Sequence, residues 1–168
     1  IESLAMLEKD NGDVYFVPAF SGLFSPHWDE TARGSLFGLT RFSNKSHIAR
    51  AVIESVAFQT YELLESMEKD LDTDFKSLKV DGGMVANNLL MQFQSDIMDK
   101  SIHSQEINEI TALGVGVASY LYVMDLPLSS MGNYITSSKT WNPNMSNETR
   151  INSLESWYKA IEKAKNWL

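Results

Sequence analysis

The feature that most constrains the fold is a short apolar segment that runs into two adjacent glycines and then into a helical pattern. The segment is 78–80, the glycines are Gly82 and Gly83, and the helix has Asn87 or Asn88 as its expected N-cap. The order of buried strand, tight turn and helix is typical of an α/β sheet, in which ligands bind beyond the carboxyl ends of the strands. Two glycines without Cβ atoms let backbone amides approach a ligand. The sequence therefore indicates a candidate ligand site at this turn.

Two interpretations of the turn remain open from these residues alone. One is a nucleotide site, because the helix behind the glycines would offer unpaired N–H groups and a partial positive charge. The other is an ordinary strand-to-helix turn. It is not a Walker loop, since the Gly-Lys-Ser/Thr that grips a phosphate is missing. Asp81 is expected to hold the turn by bonding to loop amides, because no second carboxylate or base is close to it in sequence.

The rest of the chain alternates between strand and helix patterns. Strands are predicted at 14–17, 34–39 and 101–104, and helices at 46–69, 111–124 and 151–168. Ser46 is the expected N-cap of the first of these helices, and the helix at 111–124 is expected to be buried because it carries little charge. Residues 21–29 are expected to form a loop with aromatic anchors, and 129–139 a polar connection. The pattern predicts one α/β domain with some parallel strand pairs and with its first strands missing.

Composition excludes several classes of function. The 168 residues are enough for one domain, and 14 basic against 22 acidic residues give a net charge of −8. This charge disfavours a nucleic-acid or anionic membrane surface. The chain has no cysteine, so disulfides and thiolate chemistry are excluded, and its three histidines are too far apart to predict a zinc site. We see no signal peptide and no apolar stretch of roughly 18 residues, and therefore expect no membrane span.

Other side chains that could carry chemistry have plainer structural explanations. His27 is expected to have a packing role rather than an acid–base role. Arg33 could bind phosphate, but an ion pair with Asp29 or Glu30 explains its presence equally well. Glu54 is expected to make a structural contact between helix and sheet. Three aromatic residues near the C-terminus are expected in the core rather than in a ligand site: Trp157, Tyr158 and Trp167.

Around the glycines the sequence resembles the FGGY family of carbohydrate kinases, which are of the actin and hexokinase type. The stretches VDGGMVANN at 80–88 and MQFQSDI at 91–97 are similar to the adenosine motif of the glycerol kinases in that family. Upstream, PAFSGL at 18–23, PHWD at 26–29 and ARG at 32–34 resemble the same proteins. The segment 34–54 fits the second signature of the family, and 111–114 matches the following helix. The resemblance covers nearly the whole chain.

The resemblance implies a ribonuclease H-like α/β fold (actin/hexokinase-type ATPase), of which 1–168 is a fragment of the C-terminal, nucleotide-binding domain with a mixed sheet flanked by helices. It implies transfer of the γ-phosphoryl of ATP to glycerol, giving sn-glycerol 3-phosphate, with ATP/ADP and Mg²⁺ as cofactors. Gly82 and Gly83 would lie against the nucleotide and Asn87 would reach the adenine. The family's general base and glycerol contacts lie upstream, so no catalytic residue is expected here and the segment alone is expected to be inactive.

The resemblance also implies a cytoplasmic enzyme, with a mitochondrial association in a eukaryote, that forms homo-oligomers. Two alternatives stay open: another FGGY sugar kinase, and a non-catalytic relic of the family used for binding. Tyr120 stands where the family commonly has a small residue, which predicts altered helix packing or an altered interface. The segment 141–146 differs from the bacterial segment that meets a regulatory partner, so no such regulation is inferred.

Overall fold

The computed structural model describes residues 1–105, 110–134 and 137–168. The described helices are α1 (Glu2–Ala5), α2 (Lys45–Leu71), α3 (Asn88–Met98), α4 (Ile110–Val123) and α5 (Asn147–Ala164), with 3₁₀ turns at Gly83–Ala86 and Leu128–Tyr134. The strands are β1 (Tyr15–Val17), β2 (Ser35–Phe37), β3 (Ser77–Val80), β4 (Ser101–Gln105) and β5 (Ser137–Trp141).

The strands form two sheets. β1 and β2 pair antiparallel, with Tyr15 opposite Phe37. In the second sheet β4 lies between β3, to which it is parallel, and β5, to which it is antiparallel. The predicted mixed sheet is thus confirmed, but the polar connection predicted over 129–139 is wrong. That segment contains a 3₁₀ turn and the first residues of β5, an outer strand of the described sheet on which the polar side chains of Lys139 and Thr140 are exposed. Residues 135–136 of it lie outside the described residues.

The long helix α2 begins one residue before the predicted N-cap. Asn44, in an extended conformation, is the N-cap, and its side chain accepts hydrogen bonds from the backbone N–H groups of Ser46 (2.8 Å) and His47 (3.3 Å). The His47 ring in turn accepts the backbone N–H of Asn44 at 3.2 Å. Ser46 is therefore buried in the first turn of α2 and does not cap it. The reciprocal pair of bonds satisfies more of the free amides than a serine cap would.

An aromatic cluster joins α2, α3 and α5 into one core. The Phe58 ring stacks on Trp157 with centroids 4.9 Å apart and meets the edge of Phe93 at 5.4 Å. Tyr15 of β1 lies 6.0 Å from Phe58 on another side. Buried residues from Ala5 to Ala164 belong to this single cluster. The C-terminal helix is therefore part of the same packed unit as the Gly-Gly turn region.

Helix α4 is far more exposed than its low charge predicts. Only Val117 and Leu121 of this helix are buried among its described side chains, whereas Tyr122 and Val123 are 88% and 77% exposed. An uncharged helix can be buried only where another surface packs against it. The described residues cover only the stripe of α4 that contains Val117 and Leu121. Tyr120 is 46% exposed and so does not crowd the core.

Strand β3 is also less buried than predicted. Leu78 and Val80 are half-buried, and Ser77 and Lys79 are exposed, because β3 is the outermost strand of the described sheet. No helix within 1–105, 110–134 and 137–168 is long and apolar enough to cross a membrane.

Candidate functional site

The glycine turn follows β3 directly and is open to solvent. Gly82 has φ +90° and ψ 176°, a conformation that side-chain-bearing residues rarely adopt, so the backbone itself requires glycine there. Gly83 has no such φ, and a Cβ built on it would meet no atom within 4 Å. Neither strain nor packing within the described residues therefore accounts for glycine at position 83. The open space in front of Gly83 is available to a ligand.

Two free backbone amides face this open turn. Val85 donates its N–H to the Gly82 carbonyl at 3.2 Å, and Asn87 donates to the Met84 carbonyl at 3.0 Å. The N–H groups of Gly83 and Met84 have no hydrogen-bond partner within the described part of the chain. Successive unpaired N–H groups in a turn form an anion-binding surface. The turn can thus accept a phosphate or another polar oxygen.

The start of α3 differs from the predicted arrangement. A 3₁₀ turn, Gly83–Ala86, separates the glycines from the helix, and the chain itself caps the first turn of α3. The Glu2 carboxylate accepts the N–H of Leu89 at 2.9 Å. The helix terminus predicted to face a ligand is therefore largely satisfied already, and the free donors belong to the turn. The sequence did not predict this role of Glu2, because Glu2 and Leu89 are 87 positions apart in the chain.

Asn87 has a structural role that the sequence correctly indicates. Its Oδ1 accepts the N–H of Leu90 at 2.9 Å, which makes Asn87, and not Asn88, the N-cap of α3. The Nδ2 group of Asn87 has no partner among the described residues. The side chain is half-buried and sits between the turn and the helix. One end of its amide is thus occupied by the cap, and the donor end is available.

Lys139 brings a positive charge to this site that the sequence did not predict. Val80 pairs with Ser104 across β3 and β4, and Ser104 pairs with Lys139 across β4 and β5. The Lys139 ammonium donates a hydrogen bond to Asn88 Oδ1 and lies 4.9 Å from the centroid of the Trp141 ring. Asn88 adjoins Asn87, so the ammonium stands next to the candidate site. The sequence did not predict this role, because Lys139 was expected to lie in a polar connection and not in a strand beside β4.

Asp81 does not hold the turn as expected. Its carboxylate is exposed and accepts no hydrogen bond from the described residues. The same residues contain no group of three or more His, Cys, Asp or Glu side chains that could hold a metal ion. Three cavities lie elsewhere, and none of these three is lined by Gly82, Gly83 or Asn87. The turn is an open surface with amide donors rather than a closed metal centre.

His27 lies in the packed interior, as expected, and has a charged partner that the sequence did not reveal. Its Nε2 is 2.8 Å from Glu62 Oε1, and the two side chains are 12% and 4% exposed. Burial raises the pKa of Glu62, although the hydrogen bond and the charge of His27 act in the opposite direction. The pair joins the loop after β1 to α2. It is remote in sequence from the glycine turn.

Of the two roles left open for Arg33, the ion pair with Asp29 or Glu30 is not present among the described residues. Arg33 donates instead to the backbone carbonyls of Glu30 (2.9 Å) and Ala32 (2.7 Å). The Asp29 carboxylate accepts the hydroxyl of Thr31 at 2.6 Å together with nearby backbone amides. These bonds lower the pKa of Asp29 to about 2, with the Thr31 hydroxyl the largest cause. Both side chains thus hold the local turn together.

Glu54 is bound by Arg50 of its own helix and by Asn11 in the segment before β1. Its carboxylate accepts the Nε–H of Arg50 at 2.8 Å, and Arg50 also donates to the Glu8 carbonyl at 2.9 Å. Burial raises the pKa of Glu54 to about 7, even though Arg50 favours its ionised form. The pair fixes α2 to the N-terminal segment, and the predicted contact of Glu54 with the sheet is present as an electrostatic interaction with the Tyr15 hydroxyl of β1.

Two predictions about aromatic residues are also corrected. Trp157 is fully buried and Tyr158 half-buried, as expected, but Trp167 is 65% exposed because it follows the end of α5. In the loop over 21–29, Phe24 and Trp28 are exposed and do not anchor it. The buried apolar side chain of that loop is Leu23.

Comparison with known proteins decides the family. The C-terminal domain of the FGGY family of carbohydrate kinases matches residues 2–120. The chain belongs to this family. Two relatives are a glycerol kinase of Brucella anthropi, 47% identical over 170 residues, and one of Clavibacter michiganensis, 48% identical over 169 residues. Each match covers 100% of this chain and 34% of the relative, so the FGGY chain spans about one third of their length.

Solved structures of FGGY kinases share the fold. The chain matches a Plasmodium falciparum glycerol kinase crystallised with ADP, with a TM-score of 0.88 and 34% identity over 97% of this chain and 33% of that one. A xylulose kinase of Lactobacillus acidophilus matches with a TM-score of 0.76 at 24% identity, over 96% of this chain and 32% of that one. The ribonuclease H-like α/β fold implied by the sequence is thereby confirmed.

Proposed function

We propose that residues 1–168 are a fragment of the C-terminal, nucleotide-binding domain of an ATP-dependent glycerol kinase. The whole enzyme would transfer the γ-phosphoryl of ATP to glycerol and give sn-glycerol 3-phosphate. The observation that carries the proposal is the open turn at Gly83, where an unexplained glycine and two free amides adjoin the N-cap Asn87. Support also comes from relatives named glycerol kinase and from the structural relative crystallised with ADP.

The proposed roles follow from what each residue can donate. Gly82 sets the backbone direction, and the amides of Gly83 and Met84 bind oxygens of the nucleotide phosphates and ribose. The Nδ2 group of Asn87 donates to the adenine while its Oδ1 continues to cap α3. Lys139 adds positive charge at the same end of the sheet.

Phosphoryl transfer needs positioning and charge stabilisation more than covalent chemistry from the protein. The described residues hold no ligand cluster for a resident metal, so Mg²⁺ is proposed to arrive bound to the phosphates of ATP as part of the substrate. In this proposal the residues of this chain bind the nucleotide. The general base and the glycerol contacts are assigned to the part of the relatives' length that the chain does not span.

The proposal includes a cytoplasmic homo-oligomer, with a mitochondrial association in a eukaryote, and it has two competitors. Another FGGY sugar kinase is favoured by fold relatives that act on gluconate or xylulose, which are only 24% identical. A non-catalytic relic is favoured only by Tyr120, which lies on the surface and does not disturb the core.

The test is substrate-dependent ADP formation by the full-length protein with Mg-ATP and glycerol, gluconate or xylulose. Glycerol is expected to give the highest kcat/KM. Faster turnover of gluconate or xylulose would contradict the choice of substrate and leave the kinase assignment in place. ADP binding without turnover of any of the three would support the relic.

A further inference from the structure

A cavity of the molecule lies away from the glycine turn. It has a volume of about 460 Å³ and lies between the β1–β2 pair and α5. This volume is within the range of small-molecule sites, which is roughly 300–1,000 Å³. None of its lining residues comes from β3, α3 or the turn between them. The cavity is therefore separate from the proposed nucleotide site.

The walls of the cavity are apolar and held by the core. Tyr15 and Ala160 are 8% and 3% exposed, and Phe37, which pairs with Tyr15 across the two strands, is half-buried. Gly38 continues the wall, since a Cβ there would lie 1.8 Å from the Asp13 carbonyl oxygen. The backbone just after β2 is thus packed directly against the backbone just before β1. A wall built in this way is preformed and does not need to be ordered by a ligand.

A small polar group lies within this apolar surface. Burial raises the pKa of the Tyr15 hydroxyl, and the side chains of Ser156 and Asn11 lie against that hydroxyl. Ser156 also lines the cavity. The hydroxyls of Tyr15 and Ser156 can each donate or accept a hydrogen bond, which would orient a polar atom of a bound molecule.

The rim carries a positive charge that the protein as a whole lacks. Lys159 and Lys163 lie four residues apart on α5, on one face of the helix, and both line the cavity. Neither forms an ion pair with any described residue. The other charged lining residue is Asp13, so two positive charges and one negative charge leave a net charge of +1. The chain has a net charge of −8, which makes this local excess a specific feature.

We propose that this cavity is a second binding site, for a small organic monoanion with a flat apolar body, such as an aromatic carboxylate. The body lies between Phe37, the Tyr15 ring and Ala160, and the carboxylate lies at the two lysines. Asp13 offsets part of the attraction of the two lysines, and the cost of desolvating a ligand beside an apolar wall rises more steeply with its charge than this attraction does, so a monoanion is favoured over a dianion. The ligand would occupy a site independent of nucleotide binding.

The test is equilibrium dialysis of the full-length protein against 2-naphthoate, with 2-naphthalenemethanol as the neutral analogue and 2-naphthyl phosphate as the dianion. Saturable binding of 2-naphthoate is expected, with weaker binding of the alcohol, no gain for the phosphate, and no displacement by ADP. The double substitution Lys159→Gln and Lys163→Gln should weaken 2-naphthoate about two- to thirty-fold. Lys45→Gln, at another exposed lysine, is the matched control and should leave binding unchanged.

Each contrary result would overturn the proposal. Absence of saturable binding to the wild-type protein would show that the cavity is not a ligand site in the intact molecule. Equal binding to the double variant would show that the lysines do not recognise the anion. Displacement of 2-naphthoate by ADP would place the probe at the nucleotide site. These outcomes are distinguishable from failure of the kinase proposal, which concerns ADP and glycerol alone.

Discussion

The Oδ1 atom of Asn87 accepts the backbone N–H of Leu90 at 2.9 Å, so the side chain proposed to reach the adenine also caps α3. An effect of substitution at this position therefore mixes two causes. Loss of an N-cap costs about 0.5–2 kcal/mol of stability, and loss of one or two hydrogen bonds to a ligand costs about 0.5–3 kcal/mol of affinity. The two can be separated because serine keeps the cap and loses the amide donor.

Asn87→Ser is expected to preserve the stability of the protein and to weaken ADP about two- to a hundred-fold, with a reduced preference for adenine over guanine nucleotides. Asn87→Ala should show the same loss of affinity and, in addition, a loss of stability. Calorimetric titration with ADP and GDP gives the affinities, and urea unfolding gives the stability. If Asn87→Ser bound ADP like the wild type, the side chain would have only its capping role.

Two tryptophans that differ in burial should differ in their contribution to the free energy of unfolding. Trp157 is fully buried and stacks on Phe58, whereas Trp167 is 65% exposed. Trp157→Ala should lower the free energy of unfolding by about 3–5 kcal/mol, because it opens a large cavity in the core. Trp167→Ala should change it by no more than about 0.5 kcal/mol. Urea unfolding of the 168-residue chain measures both, and similar values for the two variants would refute the described core.

The raised pKa of Glu54 predicts that the free energy of unfolding depends on pH. Its pKa in the folded protein is about 7, against a usual value of 4.5, mainly because it is buried. The folded state therefore binds this proton more tightly than the unfolded state, so the stabilisation is complete below about pH 4.5 and is lost as the pH rises through about 7. The contribution amounts to up to about 3 kcal/mol.

Glu54→Gln should remove this contribution and reduce the slope of the unfolding free energy between about pH 4.5 and 8, and the part that comes from Glu62, whose pKa burial also raises, should remain. Glu155→Gln, on the exposed side of α5, is the control and should leave the slope as in the wild type. The measurement is urea unfolding at a series of pH values. A slope in Glu54→Gln equal to that of the wild type would assign the whole pH dependence to other groups.

Catalysis by the isolated segment is expected to be absent. The 168 residues span 34% of the relatives' length. We propose that the general base lies in the remainder. Glycerol-dependent ATP consumption by the purified segment should stay at background. Turnover at an ordinary kinase rate of about 1–100 per second would show that the segment already holds every catalytic group.

Local signals explain what the sequence predicted correctly. The strand before Gly82, the turn at the glycines and the cap at Asn87 are each encoded within a few residues, by apolar pattern, by backbone freedom and by a short polar side chain. The family resemblance added the fold. These features can be predicted without knowing which residues distant in sequence contact them.

The contacts that the sequence did not predict join residues far apart in the chain. Glu2 bonds to Leu89, and Lys139 to Asn88, across 87 and 51 positions. Such pairs have no periodic signature, because they depend on which elements the fold brings together. The exposure of α4 was missed for a related reason, since an apolar composition does not state whether a partner surface is present.

The most direct test of the nucleotide assignment is calorimetric titration of the full-length protein with ADP, comparing Gly83→Ala and Gly83→Val with the wild type. The fold has room for both side chains, and Gly83 has no left-handed φ, so both variants should fold normally by circular dichroism. Affinity should fall stepwise with side-chain size, at least about ten-fold for valine. Gly132→Val, at another glycine whose Cβ would meet open space, should bind ADP like the wild type. Unchanged ADP affinity in a correctly folded Gly83→Val variant would contradict the account and leave this turn with a structural role alone.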